Sequence, residues 1–175
     1  MQKFEYEGET YIYNNGKFYD ESYQELCLNI SDKVSKYFLS NKVCEQMNKD
    51  ELKQYIKVLK ECGKYDKSIN AINIGLLKFD DLEFIKFCLP ILTSNYRALG
   101  QPLKAIEIAT EWLNKCNCSS SAVYVSIGCA YCDILDYDKA AKCAKRALAK
   151  QGGCQPSQPL QGLFNRIRDE FGDIV

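Results

Sequence analysis

The side chains best suited to chemistry in this 175-residue chain are its thiols, ten cysteines whose closest pairs are Cys116-x-Cys118 and Cys129-x-x-Cys132. Two close pairs of thiolates are the usual way to build a tetrahedral zinc site. Here the first pair is Cys-x-Cys and the second falls within an apparent helix, so thiols incidental to packing are the better account. A redox pair at Cys129 and Cys132 lacks a thioredoxin-like strand beside it. Metal- or redox-responsive regulation through these four residues is therefore kept only as an alternative, and no cofactor is expected. Histidine is absent altogether, which removes the commonest general base, nucleophile partner and metal ligand. The pairs Asp80-Asp81 and Asp136 with Asp138 sit at turns or helix starts, where capping explains them. With no Gly-rich phosphate loop, nucleophile elbow or metalloprotease helix, the residues point away from an enzyme.

Cations are the second candidate. Lys53, Lys57, Lys60 and Lys64 are spaced to line one helical face, and residues 139–150 hold five cations and no acid. The second run complements a helix C-terminus and keeps a surface solvated. The first could meet phosphates or an acidic peptide. Aromatics are not interleaved on either face for base stacking, so nucleic acid is not an expected partner. Lys plus Arg equals Asp plus Glu at 23 each, which leaves no global field for an anionic surface. No run approaches the roughly 18 apolar residues of a membrane span, and the N-terminus lacks a signal-peptide pattern; the expectation is a cytoplasmic protein with reduced thiols.

These side chains must be carried by elements whose periods are readable. Phe4, Tyr6, Tyr11, Tyr13 and Phe18 alternate around Gly-containing turns, which predicts a short β-hairpin or meander over residues 1–20. Asp20 could cap a helix through residues 21–30, with a second start at Ser31-Asp32; Leu26, Ile30, Val34, Tyr37 and Phe38 share one face. Residues 21–47 read as a helical segment. Asn48 with Glu51 makes a capping box before Leu52, Tyr55, Ile56 and Leu59, and Asp80 with Glu83 repeats it.

Self-comparison shows a repeat. Gly63, Gly100 and Leu135 coincide at turns, with Leu59, Tyr96 and Tyr131 before them and Ser68, Ala105 and Ala140 after them. Ile72, Ala109 and Ala144 also match, as do Gly75, Trp112 and Ala147. Three units result, about 49–82, 86–119 and 121–154, and Pro90 inside the second predicts a kink or a late start near Leu89. After Pro156, the stripe Leu160, Leu163, Phe164, Ile167 and Phe171 predicts a capping helix over 156–175.

The pattern resembles the tetratricopeptide repeat (TPR) family, best in the third unit through Tyr124, Ile127, Gly128, Tyr131, Tyr137, Ala140, Ala144 and Ala147. The resemblance implies an all-α array of helical hairpins in a right-handed superhelix, used as a non-catalytic protein-interaction scaffold. It also implies a concave groove lined by Asp50, Lys53, Lys57 and Lys60, then Phe87, Pro90, Ser94 and Arg97, then Ala122, Val125, Cys129 and Cys132. Lys53 matches one position of the family's carboxylate clamp, but Lys57, Ala122 and Ser126 replace its other residues. The partner expected is a protein or peptide segment that is acidic and partly apolar, held by Lys53, Lys57, Lys60 and Arg97 with apolar contact from Phe87, Val125 and Cys129. Homodimerisation, or self-association with the N-terminal hairpin as the interaction element, is the rival use of the fold.

Overall fold

The computed structural model describes residues 1–14, 17–40, 44–116, 119–152 and 155–171. Three antiparallel strands, β1 (Gln2–Tyr6), β2 (Glu9–Asn14) and β3 (Lys17–Asp20), form a sheet in the order β1-β2-β3. Glu7 and Gly8 both take positive φ, 52° and 83°, as a two-residue hairpin turn with native strand twist requires. Tyr11, Tyr13 and Phe18 bury one face of this sheet in the same core as Leu52, Ile56 and Phe84. The expected hairpin is thus a three-stranded meander that shares the helical core.

The helix expected after Asp20 does not form. The Asp20 carboxylate accepts from the Gln24 amide at 2.9 Å, and the Asp20 amide donates to the Gln24 carbonyl, so the aspartate stabilises a tight turn. Its capping chemistry is spent four residues on. Helix α1 instead spans Leu28–Ser40, burying Val34 and Phe38 while Ile30 and Tyr37 stay 45% and 41% exposed. A 3-10 turn over Cys44–Gln46 leads to α2.

Seven more helices follow among the described residues: α2 (Lys49–Glu61), α3 (Tyr65–Lys78), α4 (Leu82–Ala98), α5 (Pro102–Cys116), α6 (Ser121–Asp133), α7 (Tyr137–Lys150) and α8 (Gln158–Phe171). The capping box at α2 is complete: the Asn48 side chain accepts from the Asp50 and Glu51 amides, and Glu51 returns to the Asn48 amide at 2.8 Å. At α4 the cap is Asp81 rather than Asp80, because Asp81 holds extended backbone and aims Oδ1 at the Glu83 amide, 2.9 Å away. The late start near Leu89 does not occur: α4 begins at Leu82. The helix runs through Pro90, flanked by buried Ile85, Cys88, Leu89, Leu92 and Thr93, whose burial outweighs the roughly 3 kcal/mol a mid-helix proline costs.

Three of the turns are the same object. Gly63, Gly100 and Leu135 have φ of 68°, 70° and 63°. In each, the amide after this residue donates back to the carbonyl of Leu59, Tyr96 or Tyr131, at 2.8, 2.8 and 3.0 Å. Together with the bond from the Gly63, Gly100 or Leu135 amide to the carbonyl of Lys60, Arg97 or Cys132, this makes a Schellman motif, which satisfies carbonyls orphaned at a helix end and reverses the chain. Helices α2 and α3, α4 and α5, and α6 and α7 are paired in this way. Ser68, Ala105 and Ala140, all buried, let the two helices of each pair come close.

Each later helix then leans on the pair before it: α4 on α2 and α3, α6 on α4 and α5, α8 on α6 and α7. Two close approaches show how. A Cβ on Gly75 would lie 2.5 Å from the buried Phe84 ring, and one on Gly128 would lie 2.6 Å from Leu163 of α8. A buried polar contact also ties the first pair to the second, since Asn95 Nδ2 donates to Ser68 Oγ at 2.8 Å and that hydroxyl reaches the Ile56 carbonyl. The molecule is mostly helical with a small sheet at one end.

Candidate functional site

The cationic face of α2 meets an aromatic ring of α4. Lys53 and Lys57 are one turn apart on α2, whose register is fixed by the capping box at Asn48 and by buried Leu52, Ile56 and Leu59. Phe87 is fixed in turn by its neighbours Phe84 and Cys88, both wholly buried. The Lys53 and Lys57 ammonium groups each lie 5.6 Å from the Phe87 ring centroid. Both distances are within cation–π range, worth about 0.5–1 kcal/mol at a solvent-facing site.

Two like charges at i and i+4 destabilise a helix by roughly 0.2–0.5 kcal/mol. Acids occur on α2 only as Asp50, Glu51 and Glu61, near its two ends, and among the described residues none forms an ion pair with Lys53, Lys57 or Lys60. Lys60, half-buried, extends the same face by one more turn. An aromatic platform beneath uncompensated ammonium groups can take carboxylates on the charges and an apolar side chain on the ring.

The other expected groove residues are placed differently. Arg97 does not stand free: its Nε and Nη2 donate to the two carboxylate oxygens of Asp133 on α6. Arg166 of α8 donates to the same carboxylate at 2.7 Å and to the Cys129 carbonyl at 3.4 Å. Two guanidinium groups therefore share one carboxylate across three helices. Burial alone would raise the Asp133 pKa, but the hydrogen bonds from Arg97 and Arg166 take it below the usual carboxylate range. Beside the triad lies a surface depression of about 490 Å³ lined by Ser94, Arg97, Ala98, Gly100, Pro102 and Asp133.

Val125 and Cys129 are not open groove. Val125 is 8% exposed and belongs to a core cluster with Leu160, Leu163 and Ile167 of α8; Cys129 packs against that cluster. Helix α8 covers this face of α6 because Gly128 admits Leu163. Thus Lys53, Lys57 and Phe87 come together with Lys60 alongside, while Arg97, Val125 and Cys129 have structural partners. Asp133 and Arg166 carried no sequence signal, being acid and base on helices whose packing was unknown.

The described candidate cysteines fall into two core regions, with Cys129 and Cys132 together at the smaller one. Cys116 packs against the larger core cluster and Cys132 sits wholly buried in the smaller one, while Cys118 lies outside the described residues. Among the described residues no three metal-ligating side chains gather, and each described cysteine is a free thiol. Burial raises the Cys129 and Cys132 thiols and pushes Cys88 up to about 12 and Cys143 to about 11, away from the reactive thiolate. Among the described residues no helix is long and apolar enough to cross a membrane. No protein-family model matches the chain, and no curated protein matches it.

Proposed function

We propose that residues 49–154 are three TPR-like units stacked as a right-handed superhelix and capped by α8, and that the chain is a non-catalytic interaction module binding an acidic, partly apolar segment of another protein. The observation that carries this reading is the pair Lys53 and Lys57 over Phe87, each ammonium 5.6 Å from the ring centroid and without an acidic partner among the described residues. The bound segment would place its carboxylates on these ammonium groups and a Leu or Phe side chain against Phe87. The Arg97–Asp133–Arg166 triad acts as a brace between α4, α6 and α8.

The test is fluorescence anisotropy with labelled peptides that alternate Asp or Glu with Leu or Phe, set against basic and neutral peptides of equal length. Binding should weaken with salt and fall by roughly tenfold or more in Lys53→Glu/Lys57→Glu, as expected when two charge-assisted contacts become repulsive. Far-UV circular dichroism should not change, because Lys57 is exposed and Lys53 only half-buried. Acidic-peptide binding indifferent to both substitutions would remove the groove assignment.

A further inference from the structure

The two edges of the N-terminal sheet are treated differently by the chain. Along β3 the outer edge is occupied: the Leu26 amide donates to the Phe18 carbonyl and the Asp20 amide to the Gln24 carbonyl, both at 3.0 Å. Tyr19 and Glu25 form a bridge, and Lys17 pairs with Glu25 at 2.8 Å. Along β1, the opposite edge, no backbone hydrogen bond is made on the outer side among the described residues. An unpaired strand edge is a template for a further strand.

The geometry of β1 says which strand fits. In a hairpin closed by the two-residue turn Glu7–Gly8, the flanking residues Tyr6 and Glu9 exchange hydrogen bonds, and the pairs then alternate. Gln2, Phe4 and Tyr6 therefore turn their amides and carbonyls toward β2, and Lys3 and Glu5 turn theirs outward. Both side chains are exposed, and neither has an ion-pair partner among the described residues.

Consider a second β1 laid antiparallel on this edge about a two-fold axis. Centred on Lys3 it sets lysine against lysine; centred on Glu5 it sets glutamate against glutamate. Centred on Phe4 it sets Lys3 against Glu5 of the other copy, twice, as hydrogen-bonded pairs, with the two Phe4 residues as the close non-hydrogen-bonded pair between them. Opposite charges directly across a ladder stabilise it and like charges destabilise it.

The flank of this edge is also apolar. Tyr6 of β1 packs against Tyr37 of α1, rings tilted at 41° with centroids 4.8 Å apart, and Tyr37 and Ile30, one α1 face, remain 41% and 45% exposed. We infer that the chain forms a symmetric homodimer through β1, paired antiparallel about Phe4 with reciprocal Lys3–Glu5 contacts, giving a continuous six-stranded sheet. The ladder is short, so the association is concentration-dependent.

Sedimentation velocity across the micromolar range tests it by charge exchange. The unaltered chain should shift toward dimer mass with concentration, and Lys3→Glu or Glu5→Lys alone should weaken dimerisation by roughly tenfold or more, since each creates two like-charge oppositions. An equimolar mixture of the two variants should regain dimer mass, because the new carboxylate at position 3 then faces the new ammonium at position 5. In the unaltered protein, amide exchange at Lys3 and Glu5 should be slower at dimeric concentration than after dilution. A chain that stays monomeric, a dimer that tolerates both single variants, a mixture that stays monomeric, or amide exchange at these two residues that ignores concentration would each overturn the inference.

Discussion

Two glycine-to-alanine substitutions in helices should change stability in opposite directions. In a helix, alanine is favoured over glycine by about 0.8–1 kcal/mol through propensity alone. At Gly162, exposed on α8, an added Cβ meets nothing within 4 Å, so Gly162→Ala should gain most of that amount. At Gly75, buried in α3, the Cβ would lie 2.5 and 2.7 Å from Phe84 Cζ and Cε1 and 2.8 Å from Leu52 Cδ2. Phe84 is wholly buried and packed edge-on against Phe79 at 5.2 Å, so its ring cannot swing away. Overpacking costs about 1–3 kcal/mol, and three overlaps under 3.0 Å, two of them on a ring that cannot move, place this site in the upper part of that range, about 2–3 kcal/mol, above the propensity gain. The net expectation is a loss of about 1–2 kcal/mol, or a fall in melting temperature of roughly 2–8 °C, against a rise of roughly 1–4 °C for Gly162→Ala. Thermal and urea denaturation followed by circular dichroism measure both. Adding Phe84→Leu removes the overlapping ring atoms, so the double variant should lose less than the sum of its parts. A Gly75→Ala protein as stable as the parent, or strictly additive losses, would refute the close approach of α3 and α4.

Asp133 should make stability depend on acid. Its folded pKa lies below the usual range, so its contribution is present above the unfolded value near 4 and is lost as pH falls through the lower folded value. Asp133→Asn should cost about 1–2 kcal/mol at neutral pH and flatten the acid limb of the stability curve, read by urea titrations between pH 2 and 7. Alkylation of the native protein by iodoacetamide, mapped by mass spectrometry, should label the exposed Cys27 and Cys62 and spare Cys88 and Cys143, whose thiols burial pushes up. Labelling of Cys88 at a rate equal to that of Cys62 would contradict the packing of α4.

The helical hairpins were legible because their signals are local or periodic. Asn48 and Glu51 are three residues apart and close their own box, and Gly63 and Gly100 announce turns that only a residue with easy access to positive φ fits well. Leu135 was legible only by alignment with them, since its own chemistry argues against φ of 63°. Asp20 misled because a helix cap and an aspartate turn use the same short-range hydrogen bond; burial of Phe18 in the sheet decided between them. Pro90 suggested a late start that α4 does not make, because propensity is local while the cost is covered by packing on both sides. At the site, helical spacing put Lys53 and Lys57 on one face, and the family resemblance placed Phe87 in the same groove. The stripe on α8 was readable, but not the face it covers, so Val125 and Cys129 were taken for open groove. Arg97 and Asp133 stand 36 residues apart, and no pattern in the chain joins them.

The dependence of each helix on the pair before it has a kinetic consequence. Contacts between neighbours in sequence keep loop-closure entropy small, so compact structure can form quickly and in chain order, each hairpin completing the surface its successor needs. During synthesis α6 would emerge with Val125 and Cys132 facing water, and that apolar strip would stay open until α8 arrived to seat Leu163 in the notch at Gly128. The interval between the two helices is therefore the period in which the nascent chain is most exposed to misassociation.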